Sequence, residues 1–314
     1  MRDFLRVFLG WSTLLCMGLI RKVCPSAPSV APLHCGDAWP RVEAVIPKVI
    51  WCYWDQADMP PLIRACIQRM RRFNPGCTVH VLSAETIFNF LPEMPDFSGQ
   101  RVEKKADWIR LCLLHKYGGI WMDASNLLTE SLDWVFQAQQ NHGAEYVGFY
   151  IDAFTRNTDF PVIENWFMAA VPGSNFIERW FNVFDRSIIR GGVERYLESL
   201  RERGVYERFV QGIAGPGYLT MHVAAQDVLQ SASIMPNMVL LRAEDSAFFY
   251  QCLGRWRRPA MCKFLLLQTA PVQAPALVKI RGGDRKRLEL YLRAGVFNRE
   301  SLLGRALAEI GPAA

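Results

Sequence analysis

Short β-branched and aromatic runs alternate along this chain with longer stretches whose apolar residues recur at helical spacing. Residues 45–54, VIPKVIWCYW, read as a buried first strand that ends at Asp55. Pro60 and Pro61 then open a helix running to about Phe73, where Asn74-Pro75-Gly76 stops it. A second strand, Thr78 to Leu82, leads into a helix start at Ser83-Ala84-Glu85. This βαβ opening predicts a parallel sheet with ligands at the carboxyl ends of its strands, where Trp54 and Asp55 lie. A long helix from about Val102 to Lys116 follows, and Gly118-Gly119 supply the left-handed turn that ends it. The chain becomes strand again at Ile120-Trp121-Met122, with Asp123 the first polar residue beyond. The second half alternates strands near 146–151, 162–169 and 234–241 with helices near 174–189, 192–211 and 217–230, and 283–309 reads as two basic amphipathic helices.

The first 24 residues stand apart. Arg2 and Arg6 precede an uncharged stretch from Val7 to Ile20, which is shorter than the roughly 20 residues a helix needs to cross a bilayer. A signal peptide, an interfacial helix resting on a membrane, and a helix packed on the domain itself all fit that pattern, and the interfacial helix is preferred. Residues 25–41, with Pro25, Pro28, Pro32, Gly36 and Pro40, read as a linker, and 42–314 as one catalytic domain with helical additions.

Composition narrows the class. With 51% hydrophobic and 21% charged residues the chain is a folded globular protein, not a disordered one. The net charge of +6 includes clusters at Arg69-Arg71-Arg72, Arg255-Arg257-Arg258 and Arg281-Arg285-Lys286-Arg287, which suit phosphate-bearing partners or a solvated basic face. No nucleic-acid-binding module accompanies them, so nucleic acid ranks last. The nine Cys are scattered without a C-x-x-C pair and read as reduced, mostly buried thiols of a cytoplasmic protein.

The chemistry concentrates in Lys105-Ala106-Asp107-Trp108-Ile109-Arg110 and Tyr117-Gly118-Gly119-Ile120-Trp121-Met122-Asp123-Ala124-Ser125. On a helix Asp107 and Arg110 share a face, as an ordinary surface pair worth roughly 0.2–0.5 kcal/mol also would. The glycine turn folds the chain back so that Asp123 meets the space in front of that face.

The pattern K-x-D-x-x-R followed by Y-G-G-I-W-x-D-x-S resembles the donor-site signature of the DxD-type glycosyltransferase sugar-binding superfamily, which includes fungal Golgi mannosyltransferases, and within it most closely the capsular polysaccharide synthesis family. Ile46-Pro47-Lys48-Val49-Ile50 with Trp54, Glu164-Asn165-Trp166, and Gly215-Pro216-Gly217-Tyr218-Leu219-Thr220 are similar to further family segments, so the resemblance covers roughly 45–230. It implies a GT-A-type, Rossmann-like α/β fold with a mixed, mainly parallel sheet flanked by helices. It also implies a retaining glycosyltransferase that moves a sugar from a UDP- or GDP-sugar to a polysaccharide or glycolipid acceptor in capsule, exopolysaccharide or lipopolysaccharide synthesis. Trp54 would stack on the nucleobase, Asp107 and Arg110 would hold donor-sugar hydroxyls, and Asp123 would bind ribose and a divalent metal, Mn2+ or Mg2+. Glu164 and Asn165 would lie near the anomeric carbon.

One position departs from the family pattern. Ser125 stands where D-x-D relatives have a second metal-binding carboxylate, and a hydroxyl is a weaker ligand for a hard cation. His222 is then a candidate to complete the set with Asp123 and Ser125, with Asp227 and Asp245 as further candidates. The same departure motivates an alternative, a catalytically degenerate nucleotide-sugar-binding protein. A nucleotidyltransferase would need a glycine-rich phosphate loop after the first strand, and residues 52–60 contain no glycine. A lipid-linked acceptor would explain the basic, apolar N-terminus and attachment to the cytoplasmic face of a membrane.

Overall fold

The computed structural model describes all residues except 21, 37–41, 57 and 311–314. Its strands are β1 (Leu33–Cys35), β2 (Val49–Tyr53), β3 (Thr78–Leu82), β4 (Gly119–Met122), β5 (Asn126–Leu128), β6 (Tyr146–Tyr150), β7 (Ile163–Ala170), β8 (Met238–Arg242) and β9 (Leu277–Lys279). Seven of them form one sheet in the order β1-β8-β6-β7-β4-β2-β3. The pairs β2/β3, β2/β4 and β6/β8 are parallel, whereas β7 runs against both β4 and β6, and β1 against β8. Five strands therefore point one way and only β7 and β1 the other, the mixed, mainly parallel α/β sheet that the sequence predicts. β5 and β9 form a separate antiparallel ribbon.

Among the described residues twelve α-helices complete the fold. The first five are α1 (Arg2–Ile20), α2 (Pro61–Phe73), α3 (Val102–Tyr117), α4 (Asp133–His142) and α5 (Asn175–Asn182), the last continued by a wider π-type turn over 183–190. Then come α6 (Val193–Glu202), α7 (Tyr206–Val210), α8 (Thr220–Gln230), α9 (Phe249–Leu253), α10 (Arg258–Cys262), α11 (Gly282–Arg293) and α12 (Leu302–Ala308). α2 begins at Pro61, where a missing N–H costs nothing, and buries Leu62, Ile63, Cys66, Ile67 and Met70. Burial pushes the Cys66 and Cys262 thiols up to about 12, so both behave as inert core residues.

Two expectations change. The helix expected from Ser83 is a single short turn over Ile87–Asn89, because the Ser83 and Thr86 hydroxyls hydrogen-bond locally instead of launching a longer helix. Part of the expected linker is built into the fold. Leu33–Cys35 pair with β8, and the Cys24 and Ala27 amides donate to the Thr269 and Gln273 carbonyls. Residues 37–41, including Pro40, and Arg21 lie outside the described residues. The N-terminal stretch is helix α1, packed through Gly10, Leu14 and Met17 onto the α11 side of the fold. No helix among the described residues is long and apolar enough to cross a membrane.

Candidate functional site

Four chain segments converge at the carboxyl ends of β2 and β4. β2 delivers Tyr53 and then Trp54 and Asp55, while β4 delivers Asp123. The antiparallel β7 starts beside that end with Glu164 and Asn165, and the Asp123 amide donates to the Trp166 carbonyl at 2.9 Å, prolonging the β4/β7 ladder by one bond. α3 covers the opening with Asp107 and Arg110. The turn that makes this possible is glycine-specific: Gly118 and Gly119 have φ of +64° and +95°, and a Cβ on Gly119 would stand 2.8 Å from the Val49 carbonyl oxygen.

Arg110 ties these residues together. Its Nη1 lies 3.1 Å from Asp107 Oδ1 and donates to the Asn165 carbonyl at 2.9 Å, and its Nη2 reaches Asp123 Oδ1 at 3.3 Å. The Asn165 amide donates to Asp107 Oδ1 at 3.1 Å, and the Trp121 indole to Asp123 Oδ1 at 3.0 Å. Asp107, Arg110, Asp123 and Asn165 thus form one network, and Glu164 is buried next to it, 3.4 Å from His222 Nε2.

The ribbon of β5 and β9 adds a residue that the motif search did not single out. Lys279 pairs with Asn126 in register, and its Nζ lies 2.5 Å from Asp123 Oδ2. Its only signal in the sequence is a lone lysine inside the apolar run Ala276-Leu277-Val278-Lys279-Ile280, a charge with no reason to be buried unless it meets another. Arg281 and Arg285, which the sequence shows as part of a basic cluster, line the same cleft. Arg285 also places its guanidinium over the Trp54 ring, 4.9 Å from the centroid.

Two adjoining cavities make up the cleft. One of about 530 Å3 holds Asp107, Arg110, Asp123, Glu164, Asn165 and Lys279. The other, about 250 Å3, runs from Asp123 and Ser125 to Trp54. Charge is arranged unevenly within them. Burial acts to raise the carboxyl of Asp123, but the Lys279 ammonium and then the Arg110 guanidinium overcome it and hold the group below the ordinary carboxylate range. Asp107 goes the other way, since burial outweighs Arg110, Lys104 and His222 and raises it. The buried Lys104 bonds the Thr220 hydroxyl and the Tyr218 carbonyl, so the Gly-Pro-Gly segment and the start of α8 are fastened to α3 at the cleft rim.

As arranged, the residues expected to hold a divalent ion do not fit one. Both oxygens of Asp123 are engaged by cations, the Ser125 hydroxyl donates its proton to the Ile280 carbonyl at 2.8 Å, and His222 faces Glu164. Asp227 is bound by Tyr196, Arg203 and Ser231, and Asp245 by Arg242. Among the described residues no three His, Cys, Asp or Glu side chains gather as a metal site.

Comparison with known proteins finds glycosyltransferases that match part of the chain. The O-glycosyltransferase braB of Annulohypoxylon truncatum is 33% identical over 159 residues, 44% of this chain and 37% of that protein. Glycosyltransferase afumC of Aspergillus fumigatus is 30% identical over 43% of this chain and 39% of its own length, and O-glycosyltransferase PaGT of Phomopsis amygdali 28% identical over 44% and 38%. The match thus spans less than two fifths of the length of these curated relatives. A solved structure, PaToxG Glycosyltransferase, matches 93% of this chain and 96% of its own at 13% identity with a TM-score of 0.36, too low for the likeness to carry an argument. Residues 40–185, which hold β2, β4, Asp107, Arg110 and Asp123, match the capsular polysaccharide synthesis protein family.

Proposed function

We propose that this protein is a glycosyltransferase that moves a sugar from a nucleotide-sugar donor to a hydroxyl group. The observation that carries the reading is the convergence of Trp54, Asp107, Arg110 and Asp123 on one continuous cleft at the carboxyl ends of the strands. In this reading a nucleobase, of UDP or GDP, lies against Trp54, and the sugar lies toward Asp107, Arg110 and Asn165. The C1–phosphate bond breaks, C1 bonds to the acceptor oxygen, and the departing phosphate oxygen takes the acceptor proton, so configuration is retained. In the same reading Glu164 and Asn165 line the face of the sugar ring. The names of two relatives, O-glycosyltransferases, support transfer to oxygen.

The acceptor we propose is a saccharide or glycolipid of capsule, exopolysaccharide or lipopolysaccharide synthesis, met at the cytoplasmic face of a membrane. α1 supports that placement. It turns Phe4, Phe8, Leu15 and Leu19 outward, 58–86% exposed, while a cleft of about 410 Å3 beside it is lined by Arg6, Arg258, Lys286, Arg287 and Arg293, with Asp3 and Glu289 the only acids. Apolar side chains flanked by cations suit an anionic bilayer surface.

Turnover of a panel of nucleotide sugars, each with a saccharide acceptor and with water, tests the reading. One donor is expected to be consumed, with Asp123→Ala slower by about 100-fold or more, as when one preorganised electrostatic contact is lost. Folded protein that consumes no donor contradicts it. Donor binding without any transfer would instead favour the degenerate binding protein, a second reading supported by Ser125 being bonded to the backbone rather than free.

A further inference from the structure

We infer that the diphosphate of the donor is held by a cationic wall of Lys279, Arg281 and Arg285 together with the first turn of α11, and that this wall takes the place of a divalent ion. The inference rests on the nucleotide-sugar reading and names how the same site meets the phosphates.

The wall is built by one short segment. β9 ends at Lys279, Ile280 accepts from Ser125, and α11 begins at Gly282 on the floor of the larger cavity. Arg281 is the N-cap residue, and Asp284 in the first turn bonds it at 2.8 Å, fixing where the helix starts. The first amides of a helix have no partner within it and carry the positive end of its dipole, and Gly282, which lines the larger cavity, has no side chain to shield its own. Arg285, one turn on, bridges the two cavities, touching the Trp54 ring at one end and lining the Asp123 cavity at the other. A nucleoside diphosphate with its base at Trp54 and its sugar at Asp107 would have to pass its phosphates along these groups.

The carboxylate inventory points the same way. A Mn2+ or Mg2+ site needs hard anionic oxygens. Asp123 already has a full positive charge at each oxygen, Lys279 at 2.5 Å on Oδ2 and Arg110 at 3.3 Å on Oδ1, and Ser125 offers no lone charge. Asp123 on this account positions Lys279 and Arg110 rather than a metal. The negative charge that develops on the leaving diphosphate is met by side-chain cations and backbone amides, which are fixed before the reaction begins.

The test is titration calorimetry of the full chain with UDP and GDP, in EDTA and again with manganese. Binding of one nucleotide in EDTA, strengthened less than about threefold by manganese and weakened about tenfold or more in Arg285→Ala, is the expected result. Lys279→Met is a second probe, and Arg285→Ala, at a part-exposed position, keeps the test valid if burial makes the lysine variant unstable. Binding that appears only with manganese, or that is unchanged in Arg285→Ala, overturns the assignment of the diphosphate to this wall and leaves the transferase reading standing. Binding under neither condition overturns both the wall and the UDP- or GDP-sugar reading on which it rests.

Discussion

Two cations and an indole N–H converge on a single carboxylate, that of Asp123. Its lowered pKa has a definite sign. The stabilisation from these partners is fully present above the ordinary carboxyl value of 3.8 and is lost as pH falls through the lower folded value. Asp123→Asn should therefore lower the melting temperature at neutral pH, by the equivalent of about 2 kcal/mol for lost charged hydrogen bonds, and the gap to the unaltered protein should close only well below pH 3.8. Thermal melts of both proteins across that range check it, and a gap that closes above the ordinary carboxyl value would contradict the assignment. Arg110 is the second critical side chain. Arg110→Lys keeps a charge but cannot bond Asp107, Asn165 and Asp123 together, so donor turnover should fall by about 10-fold to 100-fold in steady-state assays while the fold persists.

At the level of elements, the site depends on a helix, a two-glycine turn and a strand being consecutive. α3 must end abruptly for β4 to run back under it, and only residues tolerant of positive φ serve at positions 118 and 119. Gly119→Ala should cost about 1–3 kcal/mol from the backbone conformation alone, with the close Val49 carbonyl adding to it, and urea unfolding measures the loss. This part of the fold was legible in the sequence. Periodicity and punctuation located α2, β3, α3 and β4, and the spacing of Asp107, Arg110 and Asp123 showed that they would meet. The ribbon of β5 and β9 was not legible. Its strands are three residues each and pair across about 150 positions, so no local pattern announces them, and Lys279 was missed with them. β1 was hidden for a related reason, lying in a proline-rich stretch whose strand pairs only with the distant β8.

Over the whole molecule, the cleft and the outward face of α1 belong to one folded body with a mixed sheet at its centre. The apolar residues of α1 are exposed on one side and packed on the other, which is costly in water unless a second apolar phase covers them. Vesicles containing anionic lipid should retain the protein in sedimentation assays, and substituting Phe4, Phe8 and Leu15 together with serine should release it; equal partition of both forms would remove the membrane from the account. The cleft around Asp123 is proposed to bind a nucleotide sugar. The most direct test of that binding is the melting temperature of the protein and of Asp123→Asn with UDP-, GDP-, CMP- and dTDP-sugars. A ligand at 100 times its Kd adds about 2.7 kcal/mol to stability. One donor should raise the melting temperature of the native protein by several degrees and leave Asp123→Asn almost unmoved, whereas no shift with any donor, or equal shifts in both proteins, would contradict nucleotide-sugar binding at Asp123.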